Sequence, residues 1–66
     1  MEARIVRGTP RTTLKGNALW QLETRLRVQS EWVRLFGRGR TSTDPAELRR
    51  GAKMHGWSLI EDESQA

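Results

Sequence analysis

Residues 18–36 read ALWQLETRLRVQSEWVRLF and contain the strongest secondary-structure signal in the chain. Leu19, Leu22 and Leu26 follow the 3-4 spacing of one helical face, while acidic and basic residues alternate on the opposite face. Asn17, just before this stretch, is a favourable N-cap residue. The pattern predicts a helix over about 18–36.

A second helix is predicted over about 45–55, after the basic, glycine-containing loop 37–43. Asp44 is placed to cap it, Pro45 suits the first helical position, and Glu47 completes a capping box. The two helices would pack as an antiparallel or steeply crossed pair.

The chain ends are less regular. Residues 1–16 are predicted to form a basic N-terminal arm, with a short strand over 4–7. Residues 57–60 are also β-prone, and 61–66 are expected to form an acidic disordered tail. The expected fold class is therefore mainly α, a two-helix small domain over 17–60. This fold class leaves open a short two-stranded β-ribbon formed by the chain ends.

The charge balance points to an anionic partner. The 66 residues include 12 basic and 8 acidic ones, for a net charge of +4. The first 60 residues have 12 basic against 5 acidic residues, or +7, and ten of the basic residues are Arg. Arginine suits phosphate and guanine recognition, although an Arg-rich proteome would produce the same bias.

Other classes of protein are disfavoured by composition. There is no Cys and only one His, so we expect no metal site, no catalytic residues, no cofactor and no small-molecule substrate. No long apolar run or signal peptide is present, which predicts a cytoplasmic protein with no membrane partner.

The tripeptide Arg38-Gly39-Arg40 lies between the predicted helices. It resembles the core of an AT-hook, without the flanking Pro, and the loop before a Pro-capped helix in nucleoid-associated silencers of actinobacteria. The resemblance implies that Arg38 and Arg40 enter the minor groove of DNA. The alternative is a solvated loop.

Basic residues also cluster on the second helix and in the arm. A basic second helix is typical of proteins that read the major groove, and basic arms reach into the minor groove. The alternatives are a solvated helix face and a solvated terminus. The predicted nucleic-acid-binding residues are Arg38, Arg40, Arg49, Arg50, Lys53, Arg7, Arg11 and Arg4.

A protein interface is the second hypothesis. Trp20 projects away from the leucine stripe, so it either contacts a partner or is covered by the arm. Val28, Trp32 and Leu35 widen the apolar side of the first helix and could support a homodimer. The leading prediction is a small DNA-binding regulatory or architectural protein, with DNA favoured over RNA. The alternative is a protein-binding adaptor or inhibitor, of phage or mobile-element type, that acts on a larger machine.

Overall fold

The computed structural model describes residues 1–35 and 40–65, which are mainly β: 46% of these residues are strand and 21% are helical. The sheet contains five strands, and one α-helix packs against it. The elements in chain order are β1 (Glu2–Thr12), β2 (Ala18–Arg25), β3 (Val33–Arg34), β4 (Thr41–Ser42), α1 (Pro45–Met54), β5 (Ser58–Asp62) and a 3₁₀ turn (Glu63–Gln65).

The sheet has the order β3-β2-β1-β5, and β4 also pairs with β2. β1 and β2 form a long antiparallel hairpin in which Ile5 lies opposite Leu22. β3 and β4 run antiparallel to β2 on its other edge, whereas β5 runs parallel to β1. Because a parallel pair requires a crossover, the chain passes through α1 before it enters β5.

The mainly α fold class predicted from the sequence is wrong, and the segment 18–36 is where the prediction fails. Residues 18–25 form β2, and no α-helix is present in the described part of this segment. Trp20, Leu22 and Thr24 lie on the core side of the sheet, because every second residue of a strand faces the same side. Leu26, which the helical stripe requires to be buried, is 72% exposed.

Both chain ends are more ordered than the sequence analysis predicts. Residues 2–12 of the expected arm form β1, and 61–62 of the expected disordered tail complete β5. The β-prone segments 4–7 and 57–60 do pair, with Glu2 beside Ser58. They are neighbours inside a five-stranded sheet, however, and not a separate ribbon. Hydrogen bonding to β1 supplies the partner that a disordered tail would lack.

Helix α1 begins and ends at residues suited to those positions. The Asp44 side chain accepts a hydrogen bond from the Ala46 amide at 3.0 Å, and Pro45 occupies the first turn. Gly56 follows the helix with a φ of +72°, a left-handed conformation that strains other residues. None of the helices in the described residues is long and apolar enough to cross a membrane.

The core lies between α1 and one face of the sheet. Its fully buried side chains come from β1, β2 and α1, and four partly buried hydrophobic residues pack around them. The buried residues are Ala3, Ile5, Leu22, Leu48 and Ala52, and the surrounding ones are Trp20, Leu35, Trp57 and Leu59.

Candidate nucleic-acid interface

The β1–β2 hairpin extends beyond the other strands. β5 pairs with β1 only from Glu2 to Ile5, and β4 contacts β2 no farther along than Trp20. In residues 8–19, here called the distal hairpin, the two strands therefore have no strand neighbour but each other among the residues that the structure describes. The register shifts between Arg7 and Thr12, so residues 8–12 of β1 face only 18–19 of β2. Two strand residues on β2 correspond to about 7 Å of paired extension before the turn.

The tip of the distal hairpin is closed by hydrogen bonds. The Thr13 amide donates to the Asn17 carbonyl at 2.8 Å, and the Gly16 amide donates to the Thr13 carbonyl at 2.9 Å. The Asn17 amide also donates to Thr13 Oγ1 at 3.2 Å. Gly16 has a φ of +87°, so the turn requires a glycine there. Leu14 is fully exposed on this defined turn.

The hairpin is uniformly basic. No acidic residue occurs between Glu2 and Glu23, whereas Arg7, Arg11 and Lys15 all lie in that interval. Arg11 and Lys15 are exposed, and neither forms a salt bridge within the described residues. The positive charge of the distal hairpin is therefore available to a ligand.

Arg7 lies at the junction between the distal hairpin and the rest of the described protein, here called the body. Its guanidinium carbon lies 5.3 Å from the centre of the Trp20 ring. Its Nη2 donates a 2.7 Å hydrogen bond to the Arg11 carbonyl. Arg34 of β3 adds a second tie, because its Nη2 donates to Thr9 Oγ1 at 3.1 Å. These contacts hold the base of the hairpin against the body.

Arg4 belongs to a set of ion pairs on the sheet face that α1 does not cover. Arg4 Nε lies 2.7 Å from Glu23 Oε1, and Arg25 Nε lies 2.7 Å from Glu2 Oε1. Trp32 stacks on both guanidinium groups, each 4.4 Å from its ring centre. Arg4, which the sequence analysis assigned to DNA, is therefore paired with carboxylates within the protein.

Arg49 of α1 is also paired within the protein. Its Nη1 lies 2.9 Å from Asp62 Oδ2 and 3.1 Å from the Ser64 hydroxyl. Burial of Asp62 favours the neutral acid, but hydrogen bonds from Ser64 and Arg49 outweigh that effect and lower its pKa below the ordinary 3.8. The acidic segment thus anchors the helix to β5.

This lowered pKa gives a testable pH dependence. A carboxyl whose folded-state pKa is depressed stabilises the protein above its unfolded-state pKa, and that contribution is lost as the pH falls. We expect D62N to lose less stability than the wild type when urea unfolding is compared at about pH 6 and pH 3. E63Q, which alters a neighbouring exposed carboxylate, should follow the wild type. Equal losses in D62N and the wild type would contradict the assignment.

Arg40 is held at the far end of α1. Its Nη2 lies 3.1 Å from His55 Nε2, and its guanidinium carbon lies 5.4 Å from the Trp57 ring centre. His55 stacks on Trp57, with 4.5 Å between ring centres. The first part of the Arg38-Gly39-Arg40 motif lies outside the described residues.

Two predicted residues of α1 are open to solvent. Arg50 and Lys53 are exposed and have no salt bridge among the residues that the structure describes. Of the five residues assigned to the loop and second helix, these two alone are described as both exposed and free of a polar side-chain contact. The helix leads through Gly56 into Ser58, which lies beside Glu2. The Arg50 and Lys53 pair therefore belongs to the end of the body remote from the hairpin tip.

The predicted protein-interface residues do not share one apolar face. Trp20 and Leu35 are half-buried against the core, and Trp32 stacks on arginines at the opposite face of the sheet. Val28 is 67% exposed in the connection between β2 and β3. The stripe that joined them depended on a helix over 18–36, which the described residues do not form.

The helix predicted over 18–36 is incompatible with the distal hairpin. Leu14, Lys15 and the turn that presents them are therefore not among the predicted site residues. The dipeptide Gly16-Asn17 stands between two β-prone runs and is a recognised hairpin signal, so it could have identified the turn. Comparisons with known protein families, with curated proteins and with solved structures found no match to this chain.

Proposed function

We propose that this protein binds duplex DNA through its distal hairpin. The observation that carries the proposal is the projecting, acid-free hairpin, with Arg11 and Lys15 exposed and Arg7 at its base. The proposed role is non-catalytic, regulatory or architectural, and it requires a compartment that contains DNA, such as the cytoplasm of a bacterium.

The shape of the hairpin supports this function. A two-stranded ribbon is narrow enough to enter a groove of DNA, and several families of DNA-binding proteins use such ribbons. Within residues 1–35 and 40–65 no third strand pairs with 8–12 or 18–19, so backbone amides on these edges, which Pro10 lacks, can donate to phosphate oxygens. The ribbon therefore offers both side-chain cations and main-chain donors.

The charge distribution supports the hairpin over α1 as the contacting element. Two residues predicted to bind DNA through the loop and the second helix already have partners within the protein. Arg49 contacts Asp62, and Arg40 contacts His55. Exposed cations attract phosphates more strongly when no carboxylate lies nearby, and the distal hairpin, residues 8–19, contains no acidic residue.

Two matched double variants test the assignment. R11A/K15A removes two exposed charges from the hairpin, and R50A/K53A removes two from α1, so the net charge changes equally. Binding to a labelled duplex would be followed by fluorescence anisotropy between about 50 and 200 mM salt. We expect R11A/K15A to weaken binding by about 10- to 100-fold and to lower the slope of log K against log salt by about 1.8.

R50A/K53A should change affinity by no more than about threefold, because long-range attraction is screened at these salt concentrations. Equal losses in the two variants would show that net charge, and not the hairpin, governs binding. Absence of wild-type binding at the lowest salt concentration would refute the proposal and leave the protein-binding adaptor as the better hypothesis. A double-stranded RNA competitor tests the preference for DNA.

A further inference from the structure

Leu14 is unusual among the hydrophobic residues of this protein. Its relative exposure is 109%, the highest among the exposed large hydrophobic residues in the described part of the chain. It lies at the tip of the distal hairpin, where the chain reverses between β1 and β2. An apolar side chain so placed adds little packing to the folded protein, so it is available to contact a ligand.

The turn presents Leu14 in a defined position. Hydrogen bonds between Thr13 and Asn17 and between Gly16 and Thr13 close the loop that contains it. A closed turn reduces the conformational entropy lost when the side chain is inserted into a ligand. Leu14 is therefore held by a closed turn in a position from which it can be inserted into a ligand.

The surroundings of Leu14 indicate the chemistry of the ligand. Lys15 is adjacent and Arg11 lies three residues earlier, both exposed, and the nearest acidic residues in the sequence are Glu2 and Glu23. A protein pocket for leucine would not require this cationic surround. An apolar tip between cations fits the minor groove, where cations meet the negative potential and an apolar wedge can enter between base pairs.

We infer that Leu14 inserts between adjacent base pairs from the minor groove and bends the DNA. The inference rests on the proposed function and adds a binding mode to it. Arg11 and Lys15 contact the phosphates or the groove beside the insertion, and Leu14 unstacks one base step. Flexible pyrimidine–purine steps are the favoured positions because they unstack most easily.

The test measures bending separately from binding. A duplex of about 30 bp with a central TA step carries a donor and an acceptor dye at its ends, and energy transfer is read at saturating protein. We expect the wild type to bend it by about 20–90°, the range for apolar wedges. L14A should bind when its concentration is raised but should lose at least half of the change in energy transfer. L14M should retain the bend, since methionine also serves as a wedge.

L26A is the matched control, because Leu26 is another exposed leucine, 72% accessible, outside the hairpin. It should bend the duplex as the wild type does. Because Leu14 is fully exposed, L14A should melt at the wild-type temperature, which excludes unfolding as a cause. Binding without bending, or full bending by L14A, would overturn the wedge and leave the DNA-binding function standing. Absence of binding would overturn both, and selective loss of a protein partner by L14A would reassign the tip to a protein pocket.

Discussion

Replacement of Leu48 by alanine is expected to unfold a large fraction of the protein. Leu48 is fully buried, and with Ala52 it forms the buried surface of α1 against Ile5 and Leu22 of the sheet. Leucine-to-alanine changes at such sites cost about 2–5 kcal/mol. A core in a chain this short rarely supplies more than about 3–5 kcal/mol, so the loss is comparable to the whole stability. Urea unfolding followed by far-UV circular dichroism measures it.

Met54 offers a matched control on the same helix. It is 87% exposed, so M54A should change the free energy of unfolding by no more than about 0.5 kcal/mol. L48M, which nearly conserves volume, should cost less than about 1.5 kcal/mol. A wild-type unfolding midpoint for L48A would mean that α1 does not pack on the sheet as described.

The second large effect is expected at Trp20. Its ring packs against the core, lies opposite Arg7 across the hairpin, and neighbours Ser42 of β4. Large-to-small changes of aromatic core residues cost about 3–5 kcal/mol, and because Trp20 is only half-buried we expect about 2–4 kcal/mol for W20A. Urea unfolding gives the value, and W20F should recover much of it.

Trp32 provides the comparison for Trp20. It stacks on Arg4 and Arg25 outside the core, so W32A should cost less, about 1–2 kcal/mol for two cation–π contacts. If W20A kept wild-type stability and lost only a protein partner, the interface role considered from the sequence would be correct and the packing role would be wrong.

The two parts of the fold differ in how far the sequence could predict them. The start of α1 depends on Asp44, which caps the Ala46 amide, and on Pro45 in the first turn, so local chemistry is sufficient to place it. The capping box predicted with Glu47 does not form, because the Asp44 amide donates to the Ser42 hydroxyl and that hydroxyl donates to Glu47. Whether 18–25 forms a strand or a helix depends on residues 2–7, whose backbone groups form hydrogen bonds with those of β2. The three-residue spacing of Leu19 and Leu22 favours a helix by local pattern, and the pairing with the distant β1 overrides that preference.

Prediction of the candidate site also depends on contacts between residues that are distant in the sequence. Counting arginines identifies a basic protein, but it does not show which guanidinium groups are already paired. Arg4 and Glu23 are cross-strand partners in the β1–β2 hairpin, a pairing that a helix over 18–36 hides. Arg49 and Asp62 are 13 residues apart, and only the packing of α1 beside β5 brings them together. The structure shows that Arg4 and Arg49 form ion pairs within the protein, whereas Arg11 and Lys15 remain exposed.

The pairing of β1 with β5 also affects how the chain acquires its structure. Glu2 and Ser58 are 56 positions apart, so during synthesis on the ribosome β1 emerges long before its parallel neighbour exists. The hairpin with β2 can form early, but one edge of β1 stays open until β5 has left the exit tunnel. Contacts between such distant residues slow folding relative to helical proteins of similar length. The backbone of Ala3 and Ile5 therefore has its β5 partner only after residues 58–62 have been synthesised.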